Sequence, residues 1–459
     1  MKRLSALILT GVFGAALLHL PLAASSATLP ASNASEIATS YTDLVTQFYK
    51  KVDPQRVLDS VHASLETTLK HDGVKATLRP MHASELTQAN VRAIDLAVEN
   101  AQHLAGKKAT ATELTYAAIT GIMQSVHDRW TVFLSPKEYA DLNQGLDGTD
   151  FGGTGIVIQV DPVTKYITVS NVVPDAPADK AGIEQDDLIT AIDGISTKGW
   201  SINRASAHLR GKEGTKVTVT ILRDGKTLAP ITLTRAKIHQ QSVFEKMLPG
   251  DIGYVAVSVF GKDTADELTT ALDRLQKRGA KAFIMDLRDN GGGYLDAAVG
   301  VSSKFISSGP IVSVESRASN ITTLEANDTA IAPVPLAVLV NQYTASASEI
   351  TSGAIQDSGV GTIIGVKTFG KGVVQTIYPL GDGSAVKITT ARYLTPLNRD
   401  INHRGITPDI TVQENKHPRF GDPKDDVQLS RALSFINDRL VHLNPPATPA
   451  SGSSSGSPR

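Results

Sequence analysis

Two apolar runs, Ala282-Phe-Ile-Met-Asp-Leu287 and Leu336-Ala-Val-Leu-Val340, constrain the fold of this chain more than any other feature. The first runs into Arg288-Asp-Asn-Gly-Gly-Gly-Tyr294 and the second into Asn341-Gln-Tyr-Thr-Ala-Ser-Ala-Ser-Glu-Ile350. Helical patterns follow both, over Leu295 to Ile306 and Ser346 to Gln356. Further strands are expected at Ile252 to Val257 and Gly361 to Gly365, and a helix from Thr264 to Arg278 with apolar Leu268, Leu272 and Leu275. Repeated strand-turn-helix units predict an α/β layer with its functional loops gathered at one end of the strands.

Other textures flank this region, so the chain reads as an α/β and α+β multidomain protein. Its 459 residues allow two or three domains. Residues 28–145 read as helical: Ile37 to Lys70 carries apolar positions at helical period, as do Leu86 to Leu104 and Thr112 to Val126. An aromatic segment, Arg129 to Leu134, and a short helix, Lys137 to Leu142, complete that part. Residues 146–238 are short strands and turns, including a glycine loop into a strand at Gly152 to Val160 and a hairpin turning at Asp224-Gly225. Residues 239–420 hold the α/β region. Within 421–459, a helix is expected from Val427 to Leu440, followed by a Pro/Ser/Gly-rich tail whose composition predicts disorder.

At the N-terminus, Lys2 and Arg3 precede an apolar stretch to Leu22 and the small residues Ala23 to Ala27, the pattern of a cleavable signal peptide over 1–27. Cleavage after Ala24 and after Ala27 both fit. An exported, periplasmic protein is therefore expected, with association to the inner membrane compatible with the same segment. The chain has no cysteine, which excludes disulfides, thiolate metal sites and a cysteine nucleophile. Lysines and arginines number 45 against 46 acids, a balance without the electrostatic footprint of nucleic-acid binding. The 11 histidines form no metal-binding pattern, and no metal or organic cofactor is implied.

The chemistry centres on Ser346. It lies where a strand gives way through small residues to a helix, a mount that exposes a hydroxyl beside free backbone N–H groups. A serine needs a base, and a lysine serves only as the neutral amine, so its pKa must fall. Lys371, in Thr368-Phe-Gly-Lys-Gly-Val-Val-Gln375, is flanked by residues that suit burial and carry no acid. Gln375 shares a face with Lys371 if this segment is a strand, and its amide oxygen would accept from the lysine. The N–H of Ala347 is one natural oxyanion donor; Gly292 is the preferred second and Gly293 the alternative. By default Ser348 and Glu349 are the helix's first turn, solvated or capping.

Residues 146–238 resemble a PDZ domain through Ala176-Pro-Ala-Asp-Lys-Ala-Gly182, Ile192-Asp-Gly194 and Arg210-Gly-Lys-Glu-Gly-Thr215. That resemblance implies that a peptide C-terminus adds to a sheet edge and that Gly153, Thr154, Gly155 and Ile156 cradle its carboxylate. From about 112 to 412 the chain resembles the carboxyl-terminal processing peptidases, or tail-specific proteases. The carrying residues are Asp286 to Gly293, Thr344 to Ile350, Thr368 to Gln375, Ala391-Arg-Tyr-Leu-Thr-Pro396 and Arg404-Gly-Ile-Thr-Pro-Asp-Ile410. The resemblance implies a ClpP/crotonase-like core with Ser346 as nucleophile, Lys371 as general base and Gln375 as its orienting partner. Gly291 stands where the family often has proline, and His127-Asp-Arg-Trp130 replaces a common Asp-Pro turn. Arg210 is a candidate for coupling the PDZ to the active site.

Two rival patterns fail on context. Ser384-Ala-Val-Lys387 has Ser-x-x-Lys spacing, but on an alternating strand its ends face opposite ways. Gly452-Ser-Ser-Ser-Gly456 sits in the low-complexity tail, without a strand and helix. The expected function is a serine endopeptidase acting near accessible, apolar C-termini of protein substrates through an acyl-enzyme. An adaptor protein and a homo-oligomer are both compatible with it. The alternative is a PDZ-containing binding or adaptor protein with an inactive protease core.

Overall fold

The computed structural model describes residues 29–443, apart from 76, 147–150, 162, 174, 240, 318–319, 416–421 and the side chain of Asn203. The expected signal peptide, the Pro/Ser/Gly-rich tail and the Gly452–Gly456 pattern lie outside the described residues. Among the described residues, no helix is long and apolar enough to cross a membrane.

The α/β region is built on a six-stranded sheet in the spatial order Val243–Leu248, Ile252–Val257, Ala282–Asp286, Leu336–Val340, Thr362–Gly365 and Ile410–Thr411. The first pair is antiparallel and the others parallel. The central strands Ala282–Asp286 and Leu336–Val340 are buried at every position and apolar at all but Asp286, because both faces are covered. Val255, Phe283, Met285, Val338 and Ile363 pack with residues of helices Thr264–Lys277, Leu295–Ser302 and Ala347–Ser358. Tyr254, Ile284, Ala337, Leu339 and Ile364 pack against Leu429, Ala432 and Ile436 of the last helix, Val427–Leu443. Phe283 and Ile284 thus enter different cores, as strand alternation requires. Buried Arg288, at the end of strand Ala282–Asp286, pairs with Asp286 and Asp426 and joins this last helix to the strand ends.

A second, antiparallel sheet carries a long strand, Ala385–Leu394, paired along one side to Val373–Pro379. Its other side pairs with Val132–Leu134 near the start and with Pro310–Ser316 near the end. The N-terminal helices Ala31–Gln47, Pro54–His71, Thr87–Ala105 and Ala111–Gln124 close their core over Leu380, Val386 and Ile388 of this hairpin. The helical bundle therefore backs the hairpin. The stretch from Ile37 to Lys70 is two helices, not one. Pro54 opens the second, where its missing N–H is no loss, and Asp53 caps it through the Gln55 N–H at 3.0 Å.

Residues 151–238 form a sheet in the order Ile156–Val160, Ile167–Val172, Leu188–Ile192, Lys216–Arg223 and Lys226–Thr227, with Ile195–Ser196 and Ile231–Thr234 paired alongside. The Asp224-Gly225 turn takes φ of 49° and 75°, as a two-residue hairpin of this type requires. The two ends of the unit, Phe151–Gly153 and Ala236–Ile238, pair with each other. The unit thus leaves and re-enters the chain at one point.

Candidate active site

Ser346 sits where strand Leu336–Val340 has ended and helix Ala347–Ser358 begins, with φ 58° and ψ −118°. A side-chain-bearing residue adopts this conformation at a cost of about 1–3 kcal/mol, and it persists only where surroundings hold it. Glu349 provides that hold. Its carboxylate accepts the Ser346 N–H at 3.0 Å, an interaction to a charged group that contributes about 1.5–3 kcal/mol and offsets the strain. The same carboxylate, fully buried, accepts the N–H of Gly370 at 2.7 Å, the N–H of Lys371 at 2.9 Å and the Thr368 hydroxyl. Burial pushes its pKa up, while the four donors oppose that rise. Sequence reasoning placed Glu349 in the helix's first turn as solvated or capping. It caps, but it is buried, and it also fixes the lysine loop. The Ser346-x-x-Glu349 spacing of a capping box was the available signal.

Tyr393, from the Ala391–Pro396 motif, makes a second clamp. Its buried hydroxyl lies 2.6 Å from the Lys371 carbonyl and 3.1 Å from that of Ser346. Asn290 makes a third: its backbone carbonyl accepts the Ala345 N–H at 3.0 Å and the Ser348 hydroxyl at 3.0 Å. Neither tyrosine nor asparagine was singled out from sequence, because their partners come from other strands.

Ser346, Ala347, Lys371, Gln375 and Gly291 to Gly293 line one cavity of about 560 Å³. Tyr139, Leu142 and Leu146, from helix Pro136–Leu146, form a wall of it, beside Leu295, Ile350, Val374 and Ile377. Gly292 packs directly on the serine turn. A Cβ there would lie 2.8 Å from the Ala345 oxygen, the Ala347 nitrogen and Ser346 Cβ, and its φ is +101°. The Gly292 N–H is already donated to Asn290 Oδ1 at 2.9 Å. Among the described residues, the N–H groups of Ala347 and Gly293 donate to no acceptor.

Burial pushes the Lys371 amine down to about 8, with help from the charges of Lys387 and Arg129 and against those of Glu349 and Asp128. The ammonium stands 4.4 Å from the centroid of the Trp130 ring, which Arg129 also covers at 4.5 Å. No hydrogen bond joins Ser346 Oγ to Lys371 Nζ among the described residues. Lys371 itself precedes the strand, which starts at Val373, and the register shifts between Val374 and Gln375. The shared-strand argument for pairing Gln375 with Lys371 therefore does not apply. Gln375 reaches the cavity all the same, and its Nε2 donates to Thr389 Oγ1 at 3.4 Å. Of the rejected Ser-x-x-Lys pair, Ser384 donates to Asp382 at the hairpin turn, while Lys387 lines this cavity.

In the 151–238 unit, Ile156–Val160 is an edge strand, paired among the described residues only with Ile167–Val172, and helix Ile202–Leu209 packs beside it. Gly155 takes φ 80°, and the carbonyls of Thr154 and Gly155 accept from Ala178 and Val173. The N–H groups of Thr154 and Gly155 have no acceptor among the described residues. Arg210 stacks on Phe151, its guanidinium 4.1 Å from the ring centroid.

The model of peptidase family S41 matches residues 251–412, and that of a PDZ domain matches residues 168–223. The chain is 37% identical over 331 residues to the carboxyl-terminal-processing protease of Synechocystis sp., covering 71% of this chain and 77% of that protein. With the carboxyl-terminal-processing protease of Picosynechococcus sp., identity is 36% over 326 residues, covering 70% and 78%. A solved structure from Bacteroides fragilis, described as an S41 protease, aligns with a TM-score of 0.50 at 17% identity, covering 69% of this chain and 88% of that one. That likeness concerns the fold alone.

Proposed function

The chain belongs to the carboxyl-terminal-processing protease family, peptidase family S41 with an inserted PDZ domain, and on that premise we propose that it is a serine endopeptidase using Ser346 and Lys371. The observation that carries this reading is the shared cavity: a serine on a strained strand-to-helix turn, beside a lysine whose amine is depressed to about 8. Neutral Lys371 takes the Ser346 proton as Oγ attacks the substrate carbonyl, and the oxyanion forms against backbone N–H groups. Ala347 is one donor. The prior hydrogen bond of Gly292 favours Gly293 as the second. Protonated Lys371 then delivers its proton to the leaving amine, and water hydrolyses the acyl-enzyme by the same route in reverse. Gln375 orients the amine after a shift of its side chain from Thr389.

The PDZ takes the substrate C-terminus as an added strand along Ile156–Val160, its carboxylate against the N–H groups of the Gly153-Thr154-Gly155-Ile156 turn. The apolar lining of the cavity favours apolar residues at the scissile bond. The protein works after export, on unfolded or tailed proteins.

The test compares wild type with Ser346→Ala and Lys371→Ala on an unfolded protein that ends in apolar residues. Wild type should cut near the C-terminus, and both variants should fall by at least about a thousandfold. Equal activity in all three would instead support a binding protein with an inactive core.

A further inference from the structure

The cavity that holds Ser346 and Lys371 contains a second lysine for which the chemistry above has no use. Lys387 lies on strand Ala385–Leu394 opposite Ile377. Its neighbours Val386 and Ile388 enter the core of the helical bundle, so alternation turns Lys387 into the cavity. Among the described residues, no carboxylate stands within ion-pair distance of it. A cation held in a partly desolvated cleft without an ion-pair partner carries a desolvation cost, which makes it a candidate for a functional role.

The charged groups around Lys371 come from three elements. Lys387 faces it from the strand, Arg129 and Asp128 from the loop before Val132–Leu134, and Glu349 from the nucleophile helix. The buried hydroxyl of Tyr393 meets only its carbonyl. Both acids already accept from other donors: Glu349 from Ser346, Thr368, Gly370 and Lys371 N–H, and Asp128 from Thr131 and Thr389. Neither makes an ion pair with the Lys371 ammonium. Arg129 and Lys371 meanwhile share the Trp130 ring at 4.5 and 4.4 Å.

We propose that Lys387 is a positioning residue for the Ser346–Lys371 chemistry: its fixed ammonium repels a proton from Lys371 and keeps the general base in its neutral form. This rests on the reading of Ser346 and Lys371 above. After burial, Lys387 is the next cause of the lowered Lys371 pKa. Burial also lowers Lys387, but Asp128 works against that loss. Lys371 has the additional cation, Arg129, against it. Glu349 and Asp128 oppose the two cations at Lys371, which burial and those cations still lower to about 8.

The experiment labels Ser346 in the full chain with a fluorophosphonate across a pH series and reads the midpoint of the labelling rate. Lys387→Met should raise that midpoint by about one unit, which slows labelling about tenfold near pH 7. Lys387→Arg, which keeps the charge, should leave it in place, and Arg129→Gln should raise it. A midpoint that stays put in Lys387→Met, even if the rate falls at every pH, overturns the proposal. If Lys387→Met does not fold, Lys387→Gln is read with the same two outcomes. Lys371→Ala separates the layers: labelling at the wild-type rate there would sink the general-base assignment itself.

Discussion

Glu349 accepts the backbone N–H of Lys371 at 2.9 Å with the same buried carboxylate that accepts the N–H of Ser346 at 3.0 Å. One acid therefore sets the spacing between nucleophile turn and base loop without pairing with the lysine's ammonium. That separation matters, because an ion pair would keep Lys371 charged and idle.

Removing that acid should affect stability and rate separately. Glu349→Ala leaves three N–H groups and a hydroxyl unpaired in the core, which should cost about 3–5 kcal/mol by denaturant unfolding. Glu349→Gln keeps volume and one acceptor oxygen. It should fold but turn over about 10–100-fold more slowly, and a wild-type rate would show that the clamp does not serve catalysis.

Activity should rise with pH. The Lys371 amine is lowered to about 8, so its neutral, proton-accepting form grows through that value as pH increases. Below the midpoint kcat/KM should fall about tenfold per unit, and above it the profile should level. A profile falling between pH 7 and 9, with the protein still folded, would exclude lysine as base.

Gly292→Ala tests the contact between the glycine loop and the serine turn. The new methyl would meet three atoms of residues 345–347 at 2.8 Å, at a φ of +101°. Peptide hydrolysis should drop by at least about a hundredfold, with a cooperative thermal transition retained. Near-wild-type turnover would mean that the loop yields without disturbing Ser346.

A substrate with a C-terminal amide tests the cradle. The free N–H groups of Thr154 and Gly155 lose a charged acceptor, so KM should rise about tenfold or more while kcat stays nearly level. Equal KM for acid and amide would remove the carboxylate from recognition.

Local pattern made much of the architecture legible. Apolar runs marked the two central strands, because a strand covered on both faces is apolar at nearly every position. Asp224-Gly225 marked a hairpin for an equally local reason, its positive φ values. The break at Pro54 was missed because apolar positions at helical spacing recur on both sides of it. Gln375 was placed beside Lys371 by strand alternation, yet Lys371 precedes the strand and a register shift intervenes. Trp130 read only as part of an aromatic segment, and nothing near it in sequence points to an ammonium 4.4 Å away.

By itself, the sequence determined which groups are available: a serine at a strand-to-helix turn, a lysine without neighbouring acids, glycines that permit close approach, and the order of elements that carry them. Those properties follow from nearest neighbours along the chain. The tertiary structure alone decided the electrostatic state of the lysine and the strain at the serine. Each is a sum over groups from separate segments: Trp130 and Arg129 from the loop behind the bundle, Lys387 from the hairpin, Glu349 from the helix. Charge and burial act through space, and so the reactivity of Lys371 arises only once those segments meet.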